Sequence, residues 1–276
     1  MKVSVVIPSY NRAEVLPRAL DSVLAQRLPA AEIILVDDAS DDETERLIES
    51  RYPQIRYLRL AENRGVSAAR NLGMAEAEGD WIALLDSDDA WLPGKLQAQK
   101  DLIEAHPHLR LCHSEEIWIR NGRRVNPMRK HAKSGGRIFF QCLPRCVISP
   151  SAVLLRRDLL EDYGGFDEDL PACEDYDLWL RICAREPVLF VPEPQIVKYG
   201  GHDDQLSRRH WGMDRFRIRA LEKILDSGVL EPDDREATLD MLRKKAGILT
   251  AGAEKRGDRE RAAGIRERLS RYTDPT

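Results

Sequence analysis

The apolar positions of the first hundred residues alternate between two periods. Val3–Pro8 is a continuous β-branched run, the pattern of a strand buried on both faces. Ala13–Ala25 then sets Leu16, Leu20, Val23 and Leu24 on one stripe of a helix. Glu32–Val36, Ile55–Leu60 and Trp81–Leu85 read as further strands. Asp41-Asp42-Glu43 supplies the acidic first turn of a helix reaching about Arg51, and Val66–Ala77 forms another. Alternation with such short loops predicts an α/β fold built on a doubly wound, mostly parallel sheet, which binds ligands outside the carboxyl ends of its strands. Those ends carry Pro8-Ser9-Tyr10-Asn11, Asp37-Asp38-Ala39-Ser40 and Asp86-Ser87-Asp88-Asp89, so polar and acidic groups converge on one crevice.

Beyond a helix expected over about Leu92–Ala105 the pattern changes. Leu109–Ser114 and Ile117–Arg120 read as strands before an Asn121-Gly122 hairpin signal, and Arg123–Gly136 reads as a long basic loop. Val153–Leu155, Val188–Val191 and Ile196–Tyr199 are strands, and Asp175–Ala184 is a helix. From Asp214 the chain is helical and highly charged, with breaks near Gly228 and Gly252, so residues 201–276 are expected to form a helical appendage.

A net charge of −4 gives no electrostatic basis for non-specific nucleic-acid binding. The opening apolar run is too short for a signal peptide or a membrane span, and no long apolar segment follows, so a cytoplasmic location is expected. Peripheral contact with the inner face of a membrane stays open. The five cysteines are odd in number and lack a CxxC pair, which suggests reduced thiols and neither a disulfide framework nor a zinc site.

Asp86 and Asp88 lie two apart after an apolar strand, so both carboxylates can address one cation. A bare acidic surface repels a diphosphate unless Mg²⁺ or Mn²⁺ bridges the two. The alternative makes these acids the N-terminal cap of the helix near Trp91-Leu92-Pro93, with Asp89 a surface acid.

The set Val5-Val6-Ile7-Pro8-Ser9-Tyr10-Asn11-Arg12, Ile34-Leu35-Val36-Asp37-Asp38-Ala39-Ser40, Asn63-Arg64-Gly65-Val66-Ser67-Ala68-Ala69-Arg70-Asn71 and Leu84-Leu85-Asp86-Ser87-Asp88-Asp89 resembles the family 2 glycosyltransferases of the GT-A fold. A weaker match, Gly164-Gly165-Phe166-Asp167 and Glu174-Asp175-Tyr176-Asp177-Leu178-Trp179-Leu180-Arg181, extends the likeness to about residue 210. The resemblance implies a nucleotide-sugar-binding half over 1–110, an acceptor-binding and catalytic half over 111–200, and an appendage outside the family's pattern. It also implies that Pro8, Ser9, Tyr10 and Asn11 hold the base, that Asp38 accepts from uracil N3 with Asp37 beside it, and that Arg70 approaches base and diphosphate. Asp86 and Ser87 would face the ribose or the metal's outer shell, Asp88 would ligate Mn²⁺ or Mg²⁺, and Asp89 would add a contact. Asp175, with Glu174, matches the family's general base. His202 is either a further metal ligand or a surface-loop histidine.

The activity implied is transfer, with inversion, of a sugar from a nucleoside-diphosphate donor, UDP foremost, to the hydroxyl of a glycan, lipid-linked or other acceptor. A sugar-1-phosphate nucleotidyltransferase would call for a Gly-rich first loop in place of Pro8-Ser9-Tyr10-Asn11. A non-catalytic nucleotide-sugar-binding module would not require the full set of carboxylates.

Overall fold

The computed structural model describes residues 1–126, 128–201, 210 and 212–273. The predicted alternation appears as β1 (Val3–Ser9), α1 (Leu16–Leu24), β2 (Glu32–Asp37), α2 (Thr44–Arg51), β3 (Arg56–Arg59), α3 (Val66–Glu76) and β4 (Trp81–Leu84). β1 pairs in parallel with both β2 and β4, and β2 with β3. Side chains alternate across this sheet, so each face has its own core. Val6, Ile34, Val36, Ile82 and Leu84 lie under α3 on one face; Val5, Ile7, Leu35 and Ala83 meet α1 on the other.

The second half departs from the expected boundaries. The helix foreseen from Leu92 starts at Lys95 as α4 (Lys95–Ala105), because Pro93 restrains its predecessor and Ala90–Trp91 form a short strand, β5. The two strands foreseen over 109–120 are one, β6 (Leu111–Arg120), and the basic loop opens with a paired segment, β7 (Arg123–Val125). After the helix α5 (Phe139–Cys142) come β8 (Leu154–Arg156), α6 (Asp158–Tyr163) and α7 (Glu174–Cys183).

The two strands foreseen at 188–199 also merge, into β9 (Leu189–Gly200), which runs parallel to β6. Register shifts around Glu115 take up the stretch containing Pro192 and Pro194, residues that have no N–H for a regular ladder. Among the described residues the sheet order is β3-β2-β1-β4-β8-β6-β9-β5, with β7 on β6. The first four strands are parallel; antiparallel β8 joins them to the β6–β9 pair.

The appendage comprises α8 (Asp214–Asp226), α9 (Pro232–Lys255) and α10 (Arg259–Thr273). Among the described residues it shares the domain's core: Phe216, Leu221 and Leu242 belong to the same cluster as Trp179 and Leu84. Lys223 of α8 adds an ion pair 2.8 Å long to the buried Asp177 of α7. Among the described residues no helix is long and apolar enough to cross a membrane.

Candidate active site

Two loops leave the tips of β1 and β2 and are stitched together. The Asn11 backbone N–H donates to Ser40 Oγ (2.9 Å), and its side-chain amide exchanges hydrogen bonds with Asp41 (2.6 and 2.9 Å). Asn11 and Ala39 both adopt left-handed backbone, at φ 50° and 62°. For a residue with a Cβ this conformation costs on the order of 1–3 kcal/mol and persists only where surrounding contacts impose it. Tyr10 stands 37% exposed at the rim.

The neighbouring acids of the second loop face different ways. Asp38 lines the cleft and is buried; its two oxygens accept the backbone N–H groups of Arg64 (2.7 Å) and Gly65 (2.8 Å) at the start of α3. Burial raises its pKa despite those two donors. Each oxygen has a second lone pair for a ligand N–H. Asp37, expected beside it at the base, is absent from the cleft lining and fully buried. It accepts from Ser40 N–H at 2.9 Å and, on its other oxygen, from Tyr57 OH (2.5 Å) and Arg59 (3.0 Å), so it braces the loop.

A similar division separates the acids after β4. Asp86, Ser87 and Asp88 line the cleft. Asp86 pairs with Arg70 at 2.7 Å; burial would raise its pKa, but Arg70 and Lys198 outweigh that and hold it below the ordinary value. Asp88 has Arg12 3.9 Å away, and its backbone carbonyl accepts from Arg18. Asp89, expected as a further metal contact, is turned into the interior: one oxygen accepts from Ser151 Oγ (2.6 Å), the other from the Tyr199 backbone N–H (3.1 Å). Burial drives its pKa up to about 8, opposed by Lys198 and reinforced by Asp88 and Asp86.

The second half meets the first through Arg70, whose side chain is 5% exposed. One arm of its guanidinium holds Asp86, the other Glu174 Oε1 at 2.8 Å, and its plane lies 4.9 Å from the Phe166 ring centre. Cys173, at φ 63°, turns the chain so that α7 starts with Glu174 and Asp175 in the cleft wall. Burial and the adjacent Asp175 raise the Glu174 pKa against the pull of Arg70. Asp175 accepts the Tyr176 backbone N–H at 2.7 Å on one oxygen. The Gly164-Gly165-Phe166 segment is clamped: Asn71 of α3 exchanges hydrogen bonds with Phe166 (2.8 and 2.9 Å), and a Cβ on Gly165 would run into the Asn71 amide.

One cleft of about 910 Å³ therefore brings together Pro8, Ser9, Tyr10, Asn11, Asp38, Arg70, Asp86, Ser87, Asp88, Glu174 and Asp175. His202 lies outside the described residues. Sequence reading missed several lining groups. Lys198 of β9 is kept protonated: burial is outweighed by Asp89, Glu116, Asp86 and Asp175. Its signal was a lysine between Val197 and Tyr199 in the otherwise apolar stretch 196–199. Cys146, and Met213 and Arg217 from the appendage, also line the cleft without any local pattern to betray them.

A hard divalent ion fits the cleft's donor set. Asp88 offers carboxylate oxygen at the cleft wall, and Mg²⁺ or Mn²⁺ is commonly held by one or two carboxylates together with substrate phosphates. Among the described residues no group of three or more His, Cys, Asp or Glu could hold a metal.

The profile described as "Glycosyl transferase family 2" matches residues 4–164, which takes in the strand-tip acids and Arg70, and "Glycosyltransferase like family 2" matches 139–223, which takes in Glu174 and Asp175. The chain belongs to glycosyl transferase family 2. Among its relatives, an uncharacterized glycosyltransferase of Bacillus subtilis is 34% identical over 204 residues, 71% of this chain and 74% of that one. One of Rickettsia conorii is 31% identical over 214 residues, 75% of this chain but 35% of that protein. The chain thus spans about a third of the length of the first Rickettsia relatives it matches.

Among solved structures, S. aureus TarS in complex with UDP-GlcNAc has a TM-score of 0.71 at 23% identity, covering 89% of this chain and 71% of that one. The mannosyltransferase PcManGT of Pyrobaculum calidifontis in complex with GDP-Man and Mn²⁺ has a TM-score of 0.64 at 19% identity, covering 92% and 75%. The architecture is that of the GT-A glycosyltransferase structures, and the C-terminal part of the chain is helical.

Proposed function

We propose that this chain is an inverting glycosyltransferase that moves a sugar from a nucleoside-diphosphate donor, with UDP-sugars foremost, onto an acceptor hydroxyl, using Asp175 as general base. The observation that carries this reading is that Asp38, Asp88 and Asp175 line one cleft large enough for a nucleotide-sugar. The bound nucleotide-sugars of the two structural neighbours support it further.

Asp38 would accept the base N–H on its remaining lone pairs, with Tyr10 beside it offering an aromatic face. The anomeric carbon would sit between the diphosphate side, marked by Asp86 and Asp88, and Asp175. The acceptor oxygen attacks that carbon, its proton passes to Asp175, and the C–O bond to the diphosphate breaks with both electrons leaving on the phosphate. Attack from the opposite face inverts the anomeric centre. Removing the proton as the bond forms is worth about 10²–10⁴-fold. A divalent ion held by Asp88 would neutralise the departing diphosphate. Arg70, tied to Asp86 and Glu174, fixes the donor and base sides relative to each other.

A thermal-shift screen of UDP, dTDP and GDP sugars with and without Mn²⁺ tests the donor assignment. A true donor raises the melting temperature because it binds the native state alone. Proton NMR of the product identifies the anomer formed; a retained configuration refutes single displacement, and absence of a shift with every donor refutes the donor site.

A further inference from the structure

Asp175 has a neighbour that this reading leaves unused. Cys146 Sγ lies 3.1 Å from Asp175 Oδ2 and also 3.1 Å from the carbonyl oxygen of Ile148. A thiol has one proton and donates one hydrogen bond at a time, so the two acceptors are alternatives. Cys146 lines the cleft, and of the five cysteines it is the one that is not fully buried. Burial, then the Asp175 charge, raises its pKa well above the ordinary thiol value; the Cys142 thiol adds to this and the Lys198 ammonium opposes it. The sulfur is therefore a protonated donor at neutral pH, with little thiolate available as a nucleophile.

We propose that Cys146 is a positioning residue for the base: its S–H, shared between Asp175 Oδ2 and the Ile148 carbonyl, aims the carboxylate into the cleft and yields to the acceptor hydroxyl. The proposal rests on the reading of Asp175 as base. Before the acceptor arrives, the S–H donates to Oδ2 while the Tyr176 N–H donates to Oδ1, so both carboxylate oxygens are anchored. When the acceptor's proton reaches Oδ2, the thiol turns to the Ile148 carbonyl and keeps a partner, so no buried donor is stranded. No bond to sulfur forms or breaks. A weak S–H donor suits the task because it competes less for the lone pair that must take the proton.

Two measurements test this. Iodoacetamide modification of Cys146 at alkaline pH is followed by peptide mass mapping in the wild type and in Asp175→Asn. Removing the neighbouring negative charge should speed modification about tenfold, because a larger share of the thiol is then ionised. Equal rates overturn the contact, whatever the protein catalyses. In initial-rate assays Cys146→Ala should lower kcat about three- to tenfold, as for the loss of one ordinary hydrogen bond. The donor KM should stay within about twofold, and Cys146→Ser should recover most of the loss. An unchanged kcat in Cys146→Ala overturns the positioning role. A wild-type chain that transfers no sugar from any donor removes base and positioner together, while the alkylation result still reports the thiol–carboxylate contact, so the two failures are told apart.

Discussion

Arg70 and Lys95 are both cations sealed inside the protein, Arg70 on the α3 side of the sheet and Lys95 on the α4 side. Arg70 meets two carboxylates, at 2.7 and 2.8 Å, which outweigh burial and keep it charged. Lys95 meets neutral groups, Gln99 Oε1 at 2.7 Å and the Val153 carbonyl at 3.3 Å, with the Trp91 ring centre 4.1 Å from its ammonium. Burial pushes its pKa down to about 7. Buried charge is expensive and survives where opposing charge compensates it. The cleft side keeps its charge because the arginine organises acids from both halves of the domain, whereas α4 holds its lysine as a scaffold group close to losing its proton.

The sharpest way to test the cleft side is to remove the base. Asp175→Asn should lower the transfer rate about 10²–10⁴-fold while donor affinity, measured calorimetrically, stays within about twofold. An undiminished rate takes Asp175 out of the mechanism.

Next in size is Arg70→Met, which strands Asp86 and Glu174. Breaking a buried ion pair this way costs about 3–5 kcal/mol, to be read from chemical denaturation. Arg70→Lys should restore only part of this, since a single ammonium lacks the fork that reaches both acids. Full recovery by lysine would show that charge alone matters.

Asp88→Ala should abolish the gain in UDP affinity given by Mn²⁺, a loss of about tenfold or more, since even outer-shell groups around a metal contribute about 10–100-fold. If Mn²⁺ strengthens UDP binding equally in both proteins, Asp88 is not its ligand.

Lys95 gives the smallest and most particular effect. The unfolded lysine keeps its proton to about pH 10.5, while the folded one releases it near pH 7. Between these values unfolding takes up a proton, so this group makes stability rise with pH, by at most about 1.4 kcal/mol per unit. Below pH 7 both states are protonated and its contribution is flat. Lys95→Met should remove that rise, visible as converging urea midpoints for the two proteins between pH 7 and 10. Parallel curves would mean that burial does not shift Lys95.

Much of the donor side was legible because its information is local. An apolar run ending in Asp37-Asp38 or Asp86-Ser87-Asp88 fixes strand, tip and acid at once. The orientation of each acid was not local. Asp37 and Asp89 differ from Asp38 and Asp88 through partners as remote in sequence as Tyr57, Ser151 and Tyr199. The merging of the strand pairs into β6 and β9 escaped notice for a similar reason. Pro192 and Pro194 have no N–H for a regular ladder, yet the sheet absorbs them in a register shift. Nothing near Glu174 in sequence marks its partner, Arg70, which is 104 positions away.

The place of α8 has a mechanical consequence. Met213, just before this helix, and Arg217 within it form part of the cleft wall, while Phe216 and Leu221 are set in the shared core beside Trp179 and Leu242. The helical end is thus a lever whose short arm touches the ligand space. Cutting the chain after β9 would remove a wall as well as a tail.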